Sequence, residues 1–217
     1  MALEAGPNMG AHSRGPSSRT NGGNLPDIAT VLWIATIQLV AVEEFASSQW
    51  AGYSRLTQYV SELGGAASPT HTLVNASIAL AAVCLIGGTL IWLRLRVLDP
   101  VMGAGLCASG FGMLVLAWFH LDSSPLIHGL AANLAFAFGP ITTLYIAAHS
   151  LKDRARTILN YLTVAFALAA SAAWVVHATN IEPVRGLTQR VMELFYLAAL
   201  VSLAFVLRHR ARSADSN

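Results

Sequence analysis

The sequence is short of charge. Only 11% of its 217 residues are Asp, Glu, Lys or Arg, less than half of the roughly 25% found in ordinary soluble domains. So few charges cannot cover a water-facing surface, which argues against a soluble globule. Cysteine is scarce too: Cys84 and Cys107 are the 2 in the chain, both inside apolar stretches. With no CxxC pair and no cluster there is no disulfide framework to read, and both are expected to pack as small core side chains. The net charge of +2 is spread through short runs beside apolar stretches, which gives no nucleic-acid signal. Other absences matter as well. No nucleophile-elbow pattern surrounds Ser61, no two histidines at the relevant end stand four apart as metal ligands often do, and no internal repeat is persuasive.

What is present is long apolar sequence. Hydrophobic residues make up 55% of the chain. About 20 residues of helix at 1.5 Å each cross roughly 30 Å of hydrocarbon. Six stretches approach or meet that length: 28–42, 72–93, 100–119, 129–148, 157–176 and 186–207. Only the last is interrupted, by Arg190 and Glu193. None has the polar face that a helix in a soluble bundle needs. The expectation is an all-α, six-helix transmembrane bundle with the lipid bilayer as its surroundings. Residues 1–27, rich in Gly, Ser, Pro and Asn, are read as a disordered cytoplasmic tail, 28–207 as the membrane domain and 208–217 as a basic cytoplasmic tail that frays. Glu43 and Glu44 close the first stretch, with no small-residue cleavage site, so it is not read as a signal peptide.

The charges sort between the two ends of these stretches. One end receives ten of the 13 Lys and Arg residues: Arg14, Arg19, Arg94, Arg96, Lys152, Arg154, Arg156, Arg208, Arg210 and Arg212. The other receives Arg55, Arg185 and Arg190, with six of the 11 acids and four of the 7 histidines. The positive-inside rule then puts both termini in the cytoplasm of a cell whose plasma membrane holds the protein. The longest outer connection carries apolar residues at Leu56, Tyr59, Val60 and Leu63. That i, i+3, i+4, i+7 spacing predicts a short interfacial amphipathic helix between helices 1 and 2, ended by Gly64-Gly65. Trp33, Trp50, Trp92, Trp118 and Trp174 are expected in interfacial belts.

Ionisable groups at membrane depth cost roughly 2.5–3.5 kcal/mol each on insertion scales and need a reason. Glu43, Glu44, Glu62, Arg190 and Glu193 are such groups. Counted back from Arg208, Glu193 lies roughly 22 Å and Arg190 roughly 27 Å from the inner end. At i and i+3 the two share a helix face and could pair with each other. Asn75 and Asn133 are expected to hydrogen-bond between helices. His71, His120, Asp122, His128 and His177 gather at the outer ends of the helices. Asp122, His128 and His177 are candidate ligands for zinc, and Ser61, Asp122 and His128 are candidate catalytic residues of a hydrolase. Glu43, Glu62, Arg190 and Glu193 are candidate ligand-binding residues of an outward-facing polar pocket. Three readings follow: binding of a lipid head group or small solute, metal-dependent hydrolysis, and a structural membrane subunit held by internal ion pairs.

Several short pieces resemble the Domain of Unknown Function 998 family of bacterial and archaeal membrane proteins. These are Tyr53-Ser54, Tyr59-Val60-Ser61-Glu62-Leu63-Gly64, Phe119-His120-Leu121-Asp122 with His128 six residues on, and Gly186-Leu187-Thr188-Gln189-Arg190. The family pattern has proline where this chain has His120. The resemblance implies a fold and a membrane location and brings no activity. A looser similarity, to membrane hydrolases related to alkaline ceramidases, would map zinc chemistry onto Ser61, Asp122 and His128. The His-x-x-x-His pair of that group is missing, and His177 stands alone.

Overall fold

The computed structural model describes residues 24–152, 157–179 and 181–215. Most of the tail expected over 1–27, with Arg14 and Arg19, and the loop cations Arg154 and Arg156, lie outside the described residues. Every regular element among the described residues is helical. Six spans are long and apolar enough to cross a membrane: Leu25–Gln49, His71–Arg94, Pro100–Trp118, Pro125–Ser150, Ile158–Ala178 (α7) and Glu182–Ala214. The chain is therefore a multi-pass integral membrane protein. Each span packs on its neighbours in sequence, and the sixth closes the ring against the first. In the most apolar window of span 6, 61% of the residues are buried, against 22% in span 5. Span 6 is thus the most enclosed of the six, packed on spans 1, 4 and 5.

Start and stop signals are local and readable. Asp99 accepts the Val101 N–H at 2.9 Å ahead of Pro100, which opens α4 (Pro100–Trp118) as an N-cap and N1 proline should. Arg96, with φ 57°, ends α3 (His71–Arg94) in the left-handed region. Where a frayed basic tail is expected, α8 (Arg185–Asp215) runs on as helix. Arg208 and Arg212 both bind Asp27 there, at 2.5 and 2.8 Å, tying the start of span 1 to the end of span 6.

Two spans are broken. Span 1 is α1 (Leu25–Ala35) and α2 (Gln38–Gln49), joined through Thr36 and Ile37. Across the joint the backbone bonds shorten to i→i−3, with Ile37 N to Ile34 O at 3.0 Å, and the Thr36 hydroxyl donates to Trp33 O at 2.6 Å. A hydroxyl bonding back to its own helix bends it. Span 4 is α5 (Pro125–Asn133), a π-helical turn at Leu134–Phe138 and α6 (Gly139–Ser150). From α4, Ser109 Oγ donates to Ala135 O of the widened turn at 2.7 Å and meets Tyr196 Oη at 3.0 Å. Gly139 follows because the Tyr196 ring occupies the place of a Cβ.

Two expectations need correction. Trp33 and Trp92 do not face lipid as belt residues do: both are fully buried, edge to face with ring centroids 6.2 Å apart, and the Trp33 indole donates to Leu85 O at 3.1 Å. They fill the gap between spans 1 and 2 near the bent joint. The interfacial amphipathic helix is also not formed as expected. The connection holds one helical turn, Gln58 N to Ser54 O at 2.9 Å, and then a 3₁₀ helix at Val60–Gly64. Side chains take the backbone donors a continuous helix would use: Gln58 Oε1 binds Ser54 N at 2.8 Å and Glu62 Oε1 binds Tyr59 N at 3.0 Å. Leu56 is left exposed while Val60 and Leu63 are buried, so the apolar residues form no single stripe.

Candidate functional site

The site lies at the acidic end, where spans 1, 3 and 5 finish and spans 2, 4 and 6 begin. Its lid is the connection after span 1, and span 6 holds that lid in place. Gly186 N and Leu187 N donate to Leu56 O at 3.0 and 3.2 Å. A Cβ on Gly186 would run into the carbonyls of Gln58 and Arg55. One turn later Arg190 donates to Ser47 Oγ at 3.1 Å, Tyr53 Oη at 3.0 Å and Arg55 O at 3.2 Å, with Glu44 at 3.6 Å. Glu44 also holds Arg55 at 2.8 Å. Burial raises the Tyr53 phenol above its ordinary range, and the Arg190 hydrogen bond works against that rise. Arg190 is therefore a clamp on the lid, and the expected pairing of Arg190 with Glu193 is replaced by Glu44. The charge of Glu62 is likewise engaged, by Gln58 Nε2 at 3.0 Å and by Arg185 at 3.9 Å.

Beneath the lid, Glu43 of α2 and Glu193 of α8 are 4% and 3% exposed. Two carboxylates facing one small enclosed space repel each other, and a proton shared by the pair relieves that repulsion. They line a narrow cavity together with Ser61, Asn75, His128 and Gln189. It holds about 40 Å³ of space open to water, enough for roughly three molecules at 10–15 Å³ each. A wider vestibule of about 380 Å³ lies beside it, walled by Tyr59, Trp174, His177 and Met192 among others. Ser61, His128, Ala132, Phe136 and Gln189 border both spaces.

The polar groups between the two spaces are set by the backbone. Gln189 Oε1 accepts the Val60 N–H at 3.0 Å, so its amide NH₂ is left over, and that NH₂ has no partner among the described residues. His128 Nδ1 lies 2.9 Å from Phe119 O. A carbonyl can only accept, so Nδ1 carries the hydrogen and, in the neutral ring, Nε2 is an acceptor. The Ser61 hydroxyl makes no hydrogen bond among the described residues. Asn75 donates to Gly64 O at 2.9 Å and so joins span 2 to the lid, whereas Asn133 only bonds Gly129 O in its own helix.

The hydrolytic and metal constellations do not assemble. Asp122 sits apart, in a shallow hollow with Trp50, Glu62 and Gly65. It accepts Ala66 N at 2.8 Å and meets His120 at 3.2 Å. The Ala66 N–H holds its carboxyl below the ordinary aspartate range, with burial opposing and His120 adding a little. His128 is oriented by a carbonyl, so the carboxylate of a Ser-His-Asp relay is missing. His177 meets Thr188 Oγ1 at 3.2 Å. Among the described residues no three His, Cys, Asp or Glu side chains gather as metal ligands. Zinc at Asp122, His128 and His177 does not fit this arrangement.

Residues 31–206 match a family model described as Protein of unknown function (DUF998). The chain belongs to this family. No curated protein and no solved structure matches it. The pieces that carry the resemblance can now be placed. Tyr53 and the Gly186 to Arg190 stretch are the two halves of the lid clamp, and Ser61 to Gly64 is part of the 3₁₀ turn over the cavity. His120 is the partner of Asp122.

Gln189 stood in the Gly186–Arg190 piece but was given no role from the sequence, although it bridges lid and cavity. A further legible signal was position: on α8 it lies four residues before Glu193, hence on the same face.

Proposed function

We propose that this membrane protein binds a small polar solute or a lipid head group in the Glu43–Glu193 cavity. One observation carries the reading: two carboxyl side chains, each under 5% exposed, converge from opposite ends of the chain on one small cavity beside a larger vestibule. An intramembrane acid costs roughly 2.5–3.5 kcal/mol on insertion scales and marks a ligand or ion path far more often than a packing need. The breaks in spans 1 and 4 support it, since π turns and interrupted spans recur beside binding sites in membrane proteins. Loop cations support an arrangement with the acidic end outside, both termini cytoplasmic and the plasma membrane as the location. A hydrolase is less well supported, because His128, which borders the same cavity as Ser61, is oriented by a carbonyl and not by a carboxylate. A purely structural subunit leaves the Gln189 NH₂ and the Ser61 hydroxyl without a use.

A membrane-permeant carbodiimide, with modification of Glu43 and Glu193 read by mass spectrometry, tests the proposal in vesicles. Some members of a panel of amines, sugars, amino acids and glycerophospho head groups are expected to slow labelling at both positions. Labelling that ignores every solute at millimolar concentration would refute it.

A further inference from the structure

We infer that the occupant bears an ammonium group, and that it enters in exchange for the proton held by the Glu43–Glu193 pair. This rests on the pocket reading above. The argument is one of matching groups. The titratable side chains facing the cavity are Glu43 from span 1, Glu193 from span 6, His128 from span 4 and His120 just beyond span 3. Spans 2 and 3 offer only neutral residues to it, Asn75 and Met113 among them. No Lys or Arg lines either space. Arg190 is close enough to act on both acids, but its hydrogen bonds go to Ser47, Tyr53, Arg55 and Gly186, and its charge is shared with Glu44.

An anion would meet two carboxyls there and no free cation. An ammonium would meet carboxyl oxygens and His128 Nε2, all acceptors. Two further groups point to a ligand independently of the acids: the Gln189 NH₂, on a side chain 8% exposed, and the Ser61 hydroxyl. The vestibule adds the aromatic side chains of Phe136 and Trp174, and of Tyr59, whose ring already has the Arg185 guanidinium 4.7 Å from its centroid. Aromatic faces attract organic ammonium groups, whereas a bare alkali ion seeks a shell of oxygens and gains little from them.

The exchange balances. R–NH₃⁺ enters intact, the carboxyl O–H of the pair ionises, and that proton leaves to the water at the acidic end. One positive charge comes in and one goes out. Two carboxylates then face the ammonium.

Calorimetry on the purified full chain decides the matter, with benzylammonium, benzyl alcohol and sodium chloride as probes. Each titration is run at neutral pH in two buffers of different ionisation enthalpy, which counts protons released. Benzylammonium is expected to bind with release of about one proton, and benzyl alcohol and sodium at least about tenfold more weakly, or 1.4 kcal/mol. In Glu193→Gln, proton release should vanish and binding should fall about tenfold or more. Binding of benzylammonium without proton release overturns the exchange, as does unchanged release in Glu193→Gln. Equal binding of benzyl alcohol or sodium overturns the ammonium class. Either result leaves the pocket reading intact if carbodiimide labelling remains solute-sensitive. If no probe binds and no solute slows labelling, the pocket reading fails with it. Should Glu193→Gln not fold, the two-buffer titration of the natural chain decides alone.

Discussion

Arg190→Ala is the sharpest test of how the lid is held. The change removes hydrogen bonds to Ser47, Tyr53 and Arg55 O from a guanidinium only 15% exposed. Side-chain hydrogen bonds in membrane proteins average about 0.6 kcal/mol, so three of them give about 2 kcal/mol as a floor. Breaking a buried charged network by removing one partner costs about 3–5 kcal/mol, because the remaining partner is stranded. Glu44 is not stranded here, since Arg55 still holds it at 2.8 Å. Ser47, 4% exposed, does lose its charged donor. The balance falls at about 2–3 kcal/mol, or roughly 30- to 150-fold in the folding equilibrium. Equilibrium unfolding in mixed micelles, followed by intrinsic tryptophan fluorescence, measures it. Arg190→Lys should recover less than half, because one ammonium cannot span Ser47, Tyr53 and a carbonyl at once. A loss below about 0.5 kcal/mol, the size of an ordinary surface change, or full rescue by lysine, would refute the clamp.

Four further outcomes are expected. Gly186→Ala should destabilise by about 1–3 kcal/mol, as overpacking does, because its Cβ meets the lid carbonyls; a neutral result in the same unfolding assay would mean the lid stands off α8. The Asp122 carboxyl is held below its ordinary 3.8, so its contribution is whole above that pH and is lost as pH falls through the lowered folded value. Asp122→Asn should therefore lower the neutral plateau of a stability profile and flatten its acid limb, and an unaltered acid limb would count against the Ala66 contact. Tyr196→Phe should cost about 0.6–1.7 kcal/mol through the lost Ser109 bond, and a stabilising change would show that bond to be strained. Elemental analysis should find zinc substoichiometric in the natural chain and unchanged in His128→Ala; one zinc per chain lost on that substitution would overturn the reading of the site.

Much of the fold was legible in the sequence. The α4 start could be read from Asp99-Pro100, five spans from their length without charge and the sixth from its length despite Arg190 and Glu193, because lipid forces each crossing segment to satisfy its own backbone. The two breaks were not. Thr36 and the Leu134–Phe138 turn look like any apolar helix, and what bends them is a hydroxyl choosing a carbonyl and a serine on another span reaching across. The connection after span 1 misled for a related reason. Its periodicity was helical, but Gln58 and Glu62 captured the backbone donors, a competition that apolar spacing does not register.

The candidate site divides in the same way. Which residues are costly in a membrane was plain from Glu43, Arg190 and Glu193 standing in apolar sequence, and their common end of the bundle followed from counting 1.5 Å per residue. Which of them meet was decided only by the packing of span 6 against span 1. Arg190 and Glu193, three residues apart, turn to different partners: the arginine goes up to the lid, and the acid goes across to a carboxyl 150 positions earlier in the chain. Insertion energy is a property of each residue and can be summed along a sequence. Pairing depends on how helices are rotated about their axes, and that is fixed by the whole ring at once.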